Sequence, residues 1–249
     1  MWAASKRPSR AAFDRVREGF MAVRQLEALN PLVHGDLRVR AWRGPKPHFV
    51  QIVASEFSTA ATACPIFVTK NPDTGDFYAG AMFGFSPGED LVTPVDDGAA
   101  SFLPLDLERH GFYISDNDIA IDPQNSSFSE VEGEALFVES QVSDTLRRKQ
   151  RALSLLKNGI AETEAFVAAL LAAKLLEPID ISLRFDDGET LVLDGLYTVS
   201  LDGLSELDDS IILQLFRVGH LQLAYCMIGS LKQIPVLAQR RNRRLTQPA

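Results

Sequence analysis

The chain has 249 residues, 46% of them hydrophobic and 23% charged, so wholesale disorder is excluded. Two cysteines, Cys64 and Cys226, are too few for a disulfide framework, and their apolar neighbours point to reduced thiols in a cytoplasmic protein. The net charge of −8 is segregated: residues 49–231 hold 29 acidic and ten basic residues, whereas residues 232–249 hold five basic and none acidic.

The acidic middle would repel a polyanion, and no basic–aromatic cluster accompanies the basic ends, so nucleic acid is not an expected partner. In chain order, Phe13, Val16, Phe20, Val23 and Leu26 recur at helical spacing and predict a helix over residues 9–29, ended by Asn30-Pro31. Residues 1–25 read as an N-terminal helical extension, and 26–249 as a single domain. The alternation from Leu37 to Trp42 reads as a short strand and Phe49–Ala54 as another. Ser55 is the expected N-cap of a short helix over 56–63. Ile66–Thr69 and Phe77–Phe85 flank Asn71-Pro72-Asp73-Thr74-Gly75-Asp76 and predict a hairpin.

Beyond Ser86 the signals thin to a short helix over 103–110 and short strands at 112–114 and 119–121. The acidic run from Ser129 to Glu134 reads as a solvated turn. Residues 144–176 carry the clearest helical stripe: Leu146, Leu153, Leu156, Ile160, Phe166, Leu170 and Leu171. A second hairpin follows, with strands 181–185 and 190–193 around Asp186-Asp187-Gly188, then a separate strand over 195–199. Helices over 204–218 and 220–241 close the chain, with breaks near Gly219 and at Pro235. Segregated strands and helices indicate an α+β fold with mixed or antiparallel hairpins, a long central helix and C-terminal helices. No window reaches 18 uninterrupted apolar residues, so no transmembrane span is expected, and no apolar segment follows the basic start as in a secretory signal.

Few residues nominate themselves for chemistry. His34-Gly35-Asp36 has the His-x-Asp spacing of facial-triad Fe(II) sites, with His48 or His110 available as a third ligand; the other reading makes Asp36 a turn cap and His34 a surface residue. His48 and Glu56 can meet across one strand as an acid–base pair, although Glu56 in a first helical turn is also explained by the helix dipole. Ser55 lacks the glycines of a nucleophile elbow. The loop Ser86-Pro87-Gly88-Glu89-Asp90 offers carboxylates to a cation without EF-hand spacing. There is no Walker loop, dinucleotide fingerprint or CxxC motif.

Several stretches resemble the bacterial SapC family: HFVQIVASEF…AATACPI at 48–66, FYAGAMFGFSPGED at 77–90, FSEVEGEALF at 128–137, TEAFVAAL…LLEPIDISL at 163–183 and DGLYTVSLDGLSELDD at 194–209. Their order covers residues 26–240. The family name derives from paracrystalline surface layers. The resemblance therefore implies a non-enzymatic binding or accessory protein, with a protein partner, serving a bacterial surface-layer or nutrient-uptake system. It supplies no catalytic residues. On that reading no cofactor is expected. The alternative is a metal-dependent enzyme, binding Fe or another divalent ion through His34 and Asp36 and using His48 and Glu56 in catalysis.

Overall fold

A computed structural model describes residues 26–41, 47–92, 100–115 and 118–246, and the fold is α+β, as the segregated strands and helices predict. The helix expected over 9–29 lies outside the described residues as far as position 25. Beyond it the chain is extended instead: β1 (Glu27–Ala28) pairs antiparallel with Ala120 and Ile121. After β2 (Arg38–Val39), β3 (Phe49–Gln51) leads into a 3-10 turn at Ala54–Glu56 and one turn of helix, α1 (Phe57–Ala60). β4 (Ile66–Lys70) and β5 (Phe77–Met82) form the expected hairpin. Asn71 Oδ1 accepts the N–H of Asp73 at its turn, which is why asparagine suits the position.

The next segment is built of short pieces: α2 (Leu105–Glu108), β6 (Phe112–Ser115), β7 (Asp118–Ile121), β8 (Phe128–Ser129), β9 (Glu134–Ala135), β10 (Phe137–Val138) and β11 (Gln141–Val142). The long helix α3 (Asp144–Ala172) follows, then the hairpin β12 (Leu176–Arg184) and β13 (Thr190–Val199). Four helices complete the described chain: α4 (Leu201–Ser205), α5 (Asp209–Arg217), α6 (His220–Ser230) and α7 (Gln233–Thr246). The break expected at Pro235 falls at residues 231–232 instead. Pro235 lies in the first turn of α7, where its missing N–H costs nothing.

The main sheet has five strands in the order β12-β13-β4-β5-β3, every neighbouring pair antiparallel. The strands expected at 190–193 and 195–199 are one strand. A bulge sets Asp194 and Gly195 against Asp180, and the φ of +72° at Gly195 lets the ladder bend without ending. Pro178 is tolerated because β12 is an edge strand.

α3 begins at Ser143, whose Oγ accepts the Leu146 N–H at 3.1 Å. It stops at Ala172, earlier than the expected 176. Lys174 turns left-handed at φ +55°, and the Leu175 N–H closes back on the Leu170 carbonyl at 2.8 Å. Leu146, Leu153, Phe166 and Leu170 are buried as their spacing predicts, whereas Ile160 and Leu171 are exposed. Gly159 and Thr163 take the inward positions instead, because the 53–56 turn docks there. A Cβ on Gly159 would lie 2.7 Å from the Val53 Cβ. Thr163 Oγ1 accepts the Ala54 N–H at 2.8 Å and donates to the Gly159 carbonyl at 2.6 Å.

α3 also joins two apolar cores. The larger packs the sheet against α1, α6 and the C-terminal half of α3, through residues such as Phe57, Phe67, Phe166 and Met227. The smaller gathers Val39, Phe112, Ile121, Phe128 and Leu136 on the N-terminal half of the helix, through Leu146 and Leu153.

Candidate functional site

The residues nominated by the sequence are placed apart. His34 Nδ1 accepts the Asn30 N–H at 3.1 Å, and its Nε2 lies 3.6 Å from Glu27 Oε2, so the imidazole is engaged on both sides. Asp36 is exposed. Among the described residues, no three His, Cys, Asp or Glu side chains form a group able to hold a metal ion. His48 is half-buried, and burial lowers its pKa while nearby Glu89 partly raises it. No hydrogen bond or ion pair joins it to Glu56.

Glu56 is 6% exposed, and both carboxylate oxygens are occupied by backbone. Oε2 accepts the Val53 N–H at 3.0 Å, and Oε1 accepts the Leu105 N–H at 2.8 Å. It thus ties the 3-10 turn to the start of α2, supplying from afar the acceptor that Pro104, the residue before that helix, lacks. Burial raises its pKa, and Asp106 adds to the rise against the pull of the two N–H groups. Ser55 does not cap: the turn's N-terminal residue is Val53, and the Ser55 side chain is exposed. In the Ser86–Asp90 loop, Glu89 Oε2 accepts the Phe85 N–H at 2.7 Å and sits 3.6 Å from Arg241, and Asp90 Oδ1 accepts the Val92 N–H at 2.9 Å. Cys64 is buried, with its thiol pushed up to about 12 by desolvation, so it carries no thiolate at neutral pH.

Among the described residues, a concave feature lies elsewhere, at the boundary of the two cores. It is a cleft of about 660 Å³, within the size range of small-molecule sites. Its floor is apolar: Val39 from β2, Phe83 just after β5, and Phe102 and Leu107 from the α2 region. The Phe83 and Phe102 rings lie 6.0 Å apart between centroids. Leu103, 60% exposed, stands at the mouth.

One wall is the first two turns of α3, where Thr145, Arg148 and Lys149 share a face at spacings of three and four. Arg148 meets Glu134 Oε2 at 2.6 Å, and Thr145 Oγ1 donates to the same carboxyl, which together hold Glu134 below the usual carboxylate range. Lys149 Nζ lies 3.3 Å from Glu108 Oε1 and also donates to the Glu108 carbonyl at the end of α2. Among the described residues, the lining holds three cations, Arg40, Arg148 and Lys149, and three carboxylates, Asp90, Glu108 and Glu134, so these side-chain charges balance. Of the residues nominated from sequence, only His110 and Asp90 line it. Arg148, Lys149 and Glu134 escaped notice. Their signal was a basic pair on the inner face of a helix and an acid at the end of a stretch read as a solvated turn.

A family model, SapC, matches residues 29–237. The chain belongs to the SapC family. The SapC match therefore includes both cores and the whole cleft lining, and it ends within α7 ahead of Arg240 and Arg241. No curated protein and no solved structure matches the chain. Among the described residues, no single helix of this SapC chain is long and apolar enough to cross a membrane.

Proposed function

We propose that this SapC-family chain is a non-enzymatic binding protein of the cytoplasm whose cleft takes a small, largely apolar and electrically neutral ligand. The observation that carries this reading is the balance of charge among the described residues of an apolar-floored cleft. The two α3 cations and their carboxylates neutralise one another, so a charged ligand would have to break pairs already made. A neutral ligand needs only to displace water from the Phe83–Phe102 floor and accept hydrogen bonds at the wall. The role fits an accessory protein of a bacterial surface-layer or nutrient-uptake system, with a protein partner to receive or deliver the ligand. On this reading no metal or organic cofactor is required. The alternative, a metal-dependent enzyme built on His34, Asp36, His48 and Glu56, rests on sequence spacing alone.

Titration with an apolar fluorescent probe tests the proposal. One saturable site is expected, insensitive to salt and lost in Leu103→Asp, a substitution at an already exposed position of the cleft mouth. Unsaturable binding, or binding unchanged in Leu103→Asp, would refute it.

A further inference from the structure

From Ser210 onward the chain contains no Asp or Glu, although its net charge is −8. Four basic residues of this segment, Arg217, Lys232, Arg243 and Arg244, are exposed and make no ion pair among the described residues. Unlike them, Arg240 and Arg241 point inward, donating to the Leu91 carbonyl and pairing with Glu89 and Glu189.

The same segment exposes large apolar side chains. Phe216 is 67% exposed and Val218 57%, where α5 turns into α6. Leu213, one turn before Phe216, and Tyr225 on α6 are exposed as well. The α6–α7 segment meets α5 at 90°. Along it, Tyr225 on α6, Lys232 in the turn between the two helices, and Val236 and Arg243 seven residues apart on α7 are all exposed. Exposed aromatic and aliphatic groups interleaved with unpaired cations, on a segment with no acid after Asp209, match the chemistry of an interfacial helix at an anionic bilayer. Along the chain the nearest acids, Asp208 and Asp209, lie at the opposite end of α5, about 12 Å from Arg217 at 1.5 Å per residue; in space, Glu89 and Glu189 reach α7 and are taken up by Arg241.

We infer that the α5–α6 corner and the outer face of α6–α7 form a docking surface for an anionic lipid bilayer, with Phe216 and Val218 entering the interface and the unpaired cations meeting lipid headgroups. A second copy of the chain is the weaker occupant, since a symmetric contact would set these cations against themselves.

Sedimentation of the full chain with phosphatidylglycerol-containing vesicles, against vesicles of phosphatidylcholine alone, tests it. Binding to the anionic vesicles only, weakening with salt, is expected. Phe216→Ser with Val218→Ser should lower partitioning about tenfold, and Arg243→Glu with Arg244→Glu at least tenfold. All four positions are exposed, so melting temperatures should stay at the parental value, which keeps misfolding from imitating the result. Equal binding to neutral vesicles would overturn the inference, as would no vesicle binding. Binding unaffected by the apolar pair, meaning mere attraction of the basic N-terminal residues, would also overturn it. So would light scattering that shows a dimer dissociated by the apolar pair.

Discussion

Replacing Gly159 with alanine tests how the chain is assembled around α3. In an ordinary helix interior this change stabilises by about 1 kcal/mol, because glycine gives up more backbone entropy than alanine. Here the new methyl would lie 2.7 Å from the Val53 Cβ and 2.8 Å from its Cγ2. A Cβ cannot swing aside by changing rotamer, and β-branched valine is stiff at χ1. Overpacking of this kind costs about 1–3 kcal/mol. The net expectation is a loss of about 0–2 kcal/mol, or up to roughly 8 °C in melting temperature for a chain of this size. Val53→Ala alone should cost about 2 kcal/mol through two lost buried methyls. Both changes together should be less damaging than their sum by at least about 1 kcal/mol, because each relieves the other. Thermal and urea unfolding of the four proteins closes the cycle. A Gly159→Ala variant that melts above the parent, or a cycle that is additive, would refute the docking of the 53–56 turn on α3.

Thr163→Val should cost about 1–3 kcal/mol, since it leaves the buried Ala54 N–H without an acceptor; Thr163→Ser keeps the hydroxyl and should cost less, and equal losses by urea unfolding would refute the bond's role. The lowered pKa of His48 means the folded state favours neutral imidazole. Its stabilisation is therefore complete above pH 6.5 and lost as pH falls through the folded value. His48→Gln should flatten that part of a stability–pH profile, and an unchanged slope would remove the assignment. Glu56 has the opposite sign: its raised pKa makes stability fall as pH climbs above about 4.5, and Glu56→Gln should abolish that fall. Cys64, with its thiol near 12, should react with Ellman's reagent at pH 8 only after unfolding; fast reaction in the native protein would contradict its burial.

What the sequence made legible follows the range of the forces involved. Hairpins were readable because Asn71 and Asp187-Gly188 specify their turns locally, and α3 because its periodicity spans many turns. The end of α3 was not, since Lys174 adopts a left-handed conformation with no glycine to announce it. Strand β13 appeared as two strands because Asp194-Gly195 is both a turn signal and a bulge signal, and only the pairing with β12 decides. The inward side of α3 near Gly159 was misread because a distant turn, not the local pattern, selects it. Glu56 reads from sequence as a candidate acid–base partner of His48 because one strand separates them; its actual partners, the N–H groups of Val53 and Leu105, carry no side-chain signature. The cleft was invisible for the same reason, being formed by segments from β2 to α3 that meet only when the two cores close on one helix.

Native mass spectrometry of the protein as purified from cells tests the central claim most directly. The account predicts a one-to-one complex with a neutral organic molecule, absent from Leu103→Asp and retained by His34→Ala. A bare wild-type protein would contradict it, and so would a metal-ion adduct that survives Leu103→Asp and disappears with His34→Ala.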